Sequence, residues 1–285
     1  VTAASELRNE VAQQLIALAA PGQPLHADSD RRTVILYAAD RTRAGVRKQI
    51  VNRYLDLASP RQDGRSAIIT AGPPGAGKST TLSTEIPDLD DYRILDADVV
   101  KEYLIEQAMA DGIYDDLLVR ILADNHPIAP NELAALVHDE SVQIIESIRQ
   151  TCLAHRENIV VEATLQWDDH GPSIFGQLAA NDYATVRILA VEADRALVHE
   201  QALDRWWRRR REWTDGQRRL GGRFVPPAAI DRCYPAIGRS TCSENAIALI
   251  DRARGGEIER VRLTLFQRDA DQQPRILVDE TIETP

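Results

Sequence analysis

Gly72-Pro73-Pro74-Gly75-Ala76-Gly77-Lys78-Ser79 fits the pattern G-x-x-x-x-G-K-[ST], a loop that holds nucleotide phosphates. The glycines let the backbone curl so that successive N–H groups point at the phosphates. Lys78 adds positive charge near the β- and γ-phosphates, and Ser79 offers a hydroxyl to Mg²⁺. The ATP-binding set read from this stretch is Gly72, Pro73, Pro74, Gly75, Ala76, Gly77, Lys78, Ser79 and Thr80, with ATP and Mg²⁺ as the expected cofactors. Upstream, Ser66-Ala67-Ile68-Ile69-Thr70-Ala71 reads as a short buried strand. Downstream, Ser79 to Glu85 reads as a helix whose N-terminus faces the phosphates. The strand–loop–helix context separates the motif from a chance glycine loop.

Further out, strands alternate with helices. Tyr92 to Asp98 reads as a strand ending in acids, followed by a helix from Val99 to Met109. Glu132 to Ala154 reads as a long helical stretch with a break near Asp139. Asn158 to Thr164 is a buried-strand pattern carrying Glu162, Tyr183 to Val191 a further strand, and Arg195 to Arg211 a helix. Glu257 to Phe266 and Arg275 to Val278 form a terminal β pair joined by a polar turn at Asp269-Ala270-Asp271. This order predicts an α/β fold, a P-loop kinase-like parallel sheet flanked by helices with a C-terminal β pair. Residues 63–285 are expected to form that domain. Residues 1–62 are expected to be a helical extension, with Leu7, Val11, Leu15 and Leu18 on one helix and Val46, Ile50, Tyr54 and Leu57 on another. Gln62-Asp63-Gly64 is the turn signal before the loop strand.

The 285 residues suffice for a full core, and 44% apolar with 27% charged residues is ordinary for a soluble globular protein. A net charge of −10 argues against a general nucleic-acid binder. Cys152, Cys233 and Cys242 form no C-x-x-C pair and read as reduced thiols of a cytoplasmic protein. No apolar run approaches the ~20 residues that span a membrane, so no membrane partner is expected.

In a parallel sheet, ligands sit beyond the carboxyl ends of the strands, where Lys78, Asp98 and Glu162 are all expected. Asp98 is the candidate general base for an alcohol acceptor, with Asp96 as its rival. For either, the plainer reading is an acid in the first turn of a helix. Glu162 ends an Ile-Val-Val-Glu run suited to placing an acid beside Mg²⁺ or substrate. Thr164 either contacts substrate or terminates the strand. Leu203 to Phe224 carries Arg205, Arg208, Arg209, Arg210, Arg211, Arg218, Arg219 and Arg223 with three tryptophans interleaved. Two or three of these arginines suit a phosphate, and the others a solvated basic face.

Taken in order, these pieces resemble the zeta toxins, the toxin component of epsilon/zeta-type toxin–antitoxin systems. They are the phosphate loop, Asp96-Ala97-Asp98, Ile159 to Thr164, the basic helix around Arg205, Arg223-Phe224-Val225-Pro226 with Asp231 after it, and the terminal β pair. The resemblance implies an enzyme that uses ATP and Mg²⁺ to phosphorylate the 3′-hydroxyl of the amino sugar of UDP-N-acetylglucosamine, so blocking cell-wall precursor synthesis. It also implies an antitoxin protein as partner. On that basis Lys78 and Ser79 hold ATP and Mg²⁺, and Asp98 is the base. Glu162 and Thr164 lie near substrate and metal, and Glu146, in competition with Glu140, lines the sugar-nucleotide pocket. Arg205 and Arg223 stabilise the γ-phosphate. The chain departs from the family at Ala163, where glycine is usual, and at Gln166, where arginine is frequent. The spacing from Arg205 to Arg223 is long, which leaves Arg210 and Arg219 as alternatives for the first arm. Two other readings are a polynucleotide or other metabolite kinase and a non-catalytic nucleotide-binding regulator.

Overall fold

The computed structural model describes residues 3–62, 65–270 and 274–284, so Asp63, Gly64 and Asp271 of the expected turns lie outside the described residues. The helices and strands in chain order begin with α1 (Ala3–Leu18), α2 (Thr33–Leu36), α3 (Arg43–Leu55), β1 (Ser66–Ala71), α4 (Lys78–Glu85), β2 (Arg93–Leu95), α5 (Ala97–Ala110) and α6 (Asp115–Leu118). They continue with α7 (His138–Ala154), β3 (Ile159–Val161), α8 (His170–Ala180), β4 (Thr185–Ala193), α9 (Arg195–Thr214), α10 (Pro227–Asp231), α11 (Thr241–Ala253), β5 (Arg260–Arg268) and β6 (Arg275–Glu283). The chain divides into two compact units. The first comprises Val1–Tyr54, Ala97–Glu146 and Ala202–Pro227, and the second Leu55–Asp96, Ser147–Gln201 and Ala228–Pro285.

The second unit holds a six-stranded sheet in the order β2-β3-β1-β4-β5-β6. All neighbours are parallel except β5 and β6, which pair antiparallel. This is the expected P-loop kinase-like sheet with its terminal β pair. β1 lies inside, between β3 and β4, which explains its run of apolar residues on both faces. The helices α4 and α11 pack on the sheet, and α8 packs on α11. Ile68, Leu82, Ile86, Val160, Leu189 and Phe266 form one core cluster. Each such buried side chain contributes about 1.5–3 kcal/mol.

The first unit is helical and buries Val11, Leu15 and Leu18 of α1 and Ile50 and Tyr54 of α3, as their spacing predicts. Leu57, expected on the same face, is 59% exposed, because α3 ends at Leu55. The strand expected over Tyr92 to Asp98 is only Arg93–Leu95, and α5 begins at Ala97. Asp98 therefore sits in the first turn of a helix, where an acid complements the exposed N–H groups. The stretch from Glu132 is a 3₁₀ turn at Pro130–Leu133, and α7 starts only at His138.

Candidate active site

In the second unit, the loop after β1 turns through three glycines at φ +141° (Gly72), +97° (Gly75) and +91° (Gly77). Side-chain-bearing residues rarely adopt these angles. A Cβ at Gly72 would stand 2.6 Å from the carbonyl oxygen of Val191 in β4, and backbone there cannot move aside. At Gly77 the same space is filled by the guanidinium of Arg268, which donates to the Ala76 carbonyl at 3.3 Å. The loop is thus fixed against β4 on one side and the end of β5 on the other. Sequence reading missed Arg268, because nothing local connects it to a loop nearly two hundred positions earlier. The Lys78 ammonium donates to the carbonyls of Gly72 (2.8 Å) and Pro73 (3.1 Å), curled over the loop it serves.

Glu162 and Thr164 reach this loop through backbone. β3 ends at Val161, and the Glu162 N–H donates to Leu95 at 3.2 Å. Thr70 Oγ1 accepts from the Ala163 N–H at 3.1 Å, and the Gly72 N–H donates to the Thr164 carbonyl at 3.0 Å. These bonds hold residues 162–164 alongside the loop. The Ser79 hydroxyl then donates to Glu162 Oε1 at 3.3 Å. A hydroxyl and a carboxylate this close offer hard oxygen donors of the kind Mg²⁺ prefers when phosphates supply the rest of its shell. Among the described residues no group of three or more His, Cys, Asp or Glu forms a self-sufficient metal cage.

In the first unit, Asp98 is ion-paired with Arg223 and with Lys101, whose Nζ is 3.2 Å away. Arg223 is delivered by a precise piece of packing. The Asn131 N–H and side-chain amide donate to the carbonyls of Leu220 (2.8 Å) and Gly221 (3.1 Å). Gly221 takes φ +80°, and a Cβ at Gly222 would meet the Trp206 carbonyl oxygen at 2.6 Å. Only this Gly-Gly pair lets the segment lie flush on α9 and present Arg223, while Phe224 packs edge-on against Trp206 at 5.0 Å.

The arginines of α9 separate by partner. Arg210 is fully buried, donating to both Glu132 oxygens (2.9 and 2.8 Å) and to Asp124 (2.7 and 2.9 Å). The Trp206 indole N–H adds a 2.8 Å bond to Glu132. Arg210 is therefore committed to holding the unit together. Arg219 is 77% exposed and pairs with Glu106 at 2.9 Å. Arg205 lies on α9, partly buried, with Arg208 and Arg209 on the same face. Glu146 is partly buried on α7. Its rival Glu140 is buried, bonded by Arg43 (2.8 Å twice) and Arg47 (2.8 Å). Burial pushes the Glu140 carboxyl up, but the Arg43 and Arg47 hydrogen bonds outweigh it and hold it below its ordinary range.

The three cysteines are free and buried. No described helix is long and apolar enough to cross a membrane.

A comparison with curated proteins gave no significant match. Among solved structures, the chain is similar to the PezAT chromosomal toxin–antitoxin system of Streptococcus pneumoniae, at 16% identity and TM-score 0.53 over 82% of this chain and 80% of that one. It is also similar to the AvrRxo1-ORF1:AvrRxo1-ORF2 complex with sulphate ions (15% identity, TM-score 0.56, 86% and 70%) and to the same pair with ATP (15%, 0.54, 86% and 70%). At these identities the likeness is one of fold. Residues 51–268 match the family model described as zeta toxin. With more than half its length inside that model and the phosphate loop within the matched region, the chain belongs to the zeta toxin family and is a nucleotide-dependent kinase.

Proposed function

We propose that the protein transfers the γ-phosphoryl group of ATP to the 3′-hydroxyl of the amino sugar of UDP-N-acetylglucosamine, acting as the toxin of a toxin–antitoxin pair. The observation that carries the kinase step is the Ser79–Glu162 contact at 3.3 Å beside a loop whose glycines open its N–H groups to phosphate. The ATP-bound AvrRxo1-ORF1:-ORF2 structure, similar in fold, supports ATP as donor. The toxin–antitoxin identity of PezAT supports an antitoxin partner.

In this reading the loop N–H groups and those of Ser79 and Thr80 bind the nucleotide phosphates. Lys78 exchanges its carbonyl contacts for the β- and γ-oxygens. Ser79 and Glu162 are the residues that would hold Mg²⁺, which would supply positive charge to offset that developing on the phosphates. Asp98 takes the proton of the attacking hydroxyl, so it must first give up its ion pair with Arg223. The released guanidinium and Arg205 then stabilise the moving phosphoryl group. Thr164 and Glu146 orient the acceptor. Residues 63–285 carry this chemistry, with residues 1–62 as an addition to it.

The test is transfer of labelled γ-phosphate from ATP–Mg²⁺ to UDP-N-acetylglucosamine by the wild type and by Lys78→Ala. Labelled sugar nucleotide from the wild type alone is the expected result. ATP binding without that product would overturn the acceptor and direct the search to the pocket changes at Ala163 and Gln166.

A further inference from the structure

Arg209 stands apart from the other arginines of its stretch. Arg210 is paired to Glu132 and Asp124, Arg208 and Arg218 both reach Glu212 (3.9 and 3.2 Å), and Arg219 reaches Glu106. Arg211 is exposed to solvent. Arg209 is partly buried, yet it has no hydrogen-bond or ion-pair partner among the described residues. Gly222 packs against its stem, where an added Cβ would come within 2.8 Å of Arg209 Cβ, so the stem is pinned at its base.

The charges that act on it are mostly of its own sign. Burial first, and then Arg218, Arg205 and Arg208, hold the Arg209 guanidinium below its ordinary range, with Glu102 a minor opposing influence. Arg205 is one turn back on the same helix face, Arg208 is the preceding residue, and Arg218 lies in the segment that follows α9. A pinned, partly desolvated guanidinium among three others is unfavourable unless an anion completes it. Elsewhere in this unit the buried cations have been given carboxylates, as Arg43 and Arg210 show. A fork of donors left open in such a place suits the paired oxygens of a phosphate group.

We propose that Arg209, with Arg205 and Arg218 around it, is a phosphate-binding residue of the reaction, taking a phosphate or diphosphate group of the bound substrates. The part concerning substrates rests on the kinase function proposed above, whereas the anion site itself does not. Two sources share this chemistry: the diphosphate of a sugar-nucleotide acceptor and the phosphoryl group in transfer.

The test uses the full-length chain and pyrophosphate as probe. Calorimetric titration is made in a Lys78→Ala background, which weakens the phosphate loop, with and without Arg209→Gln. The expected result is measurable binding that weakens on the order of tenfold when Arg209 is changed, while the exposed Arg211→Gln changes it little. Equal affinity in both proteins, an equal loss with Arg211→Gln, or no binding in the Lys78→Ala background would each overturn the site. Should Arg209→Gln fail to fold by circular dichroism, Arg209→Lys carries the test. It keeps the charge and loses the fork, so unaltered binding would overturn a bidentate site.

In the otherwise wild-type enzyme, a raised KM for UDP-N-acetylglucosamine at unchanged KM for ATP assigns the acceptor diphosphate. A fall in kcat with both KM values held assigns the transferred group. If the wild type makes no phosphorylated sugar nucleotide, the proposed function fails and the pyrophosphate result still decides the anion site.

Discussion

The two units of this chain handle charge by opposite means. The second unit uses backbone. Its phosphate loop is shaped by Gly72, Gly75 and Gly77, and Glu162 reaches Ser79 because β3 stops one residue earlier. The surrounding core, around Ile68, Val160 and Leu189, is apolar. The first unit uses side chains and buries charge. Arg210 lies between Glu132 and Asp124, and Arg43 and Arg47 close on Glu140. The difference teaches that an arginine's meaning here is set by its partners. Arg210 and Arg43 close on carboxylates in the interior and are structural, whereas Arg223 meets Asp98 at a partly exposed position.

The sharpest break of that comparison is Arg210→Ala, which strands Glu132 and Asp124 in the interior. Removing one partner of a buried pair costs about 3–5 kcal/mol. A large fall in melting temperature is expected, with the double change Arg210→Met/Glu132→Leu recovering much of it. Full stability in the single variant would remove the structural assignment. The counterpart in the second unit is Glu162→Gln, which should leave the melting temperature almost unchanged and lower kcat by about 10²–10³-fold. Such a split, stability lost in the first case and activity in the second, would mark one network as scaffold and the other as chemistry.

A smaller effect sharpens the backbone half. Gly77→Ala must hold alanine at φ +91° and displace the Arg268 guanidinium. The conformational cost is roughly 1–2 kcal/mol. Weaker ATP binding by titration is expected, and restoring it with Arg268→Ala as a second change would show that the guanidinium, not the backbone angle, is the obstacle.

Legibility in the sequence followed the same division. The phosphate loop, β1 and the alternation of strands and helices were readable, because local patterns of glycine and β-branched residues dictate them. The helix over His170–Ala180 and the one over Thr241–Ala253 went unread. The second carries its own signal, Ser240 capping the Ser243 N–H, ahead of a well-formed apolar face at Cys242, Ala246, Leu249, Ile250 and Ala253. Asp98 was expected at a strand end and lies in a helix, since three residues of β2 suffice to pair with β3. In the first unit the basic stretch was visible, but which arginines are committed was not. Arg210 finds Asp124 across 86 positions, and no spacing rule encodes that meeting.

The smallest expected effect at neutral pH concerns Glu140. Its folded carboxyl is held below its ordinary range by Arg43 and Arg47 against the opposing push of burial. A depressed folded value means that the unfolded chain takes up the proton first as pH falls. The resulting stability is fully present above the unfolded value of about 4.3 and is lost progressively below it, as pH drops through the folded value. Between pH 7 and pH 5, the wild type should therefore show almost no pH dependence from this group. Below that, unfolding free energy from urea titrations should fall more steeply for the wild type than for Glu140→Gln, which has no proton to take up. Asp116 and Asp279 are also held low by arginines, so the wild-type slope is shared, and only the difference between the two proteins belongs to Glu140. Parallel acid limbs would mean that the buried carboxylate gains no more from its arginines than it loses to burial. The first unit's charges would then fix its geometry without adding to its stability.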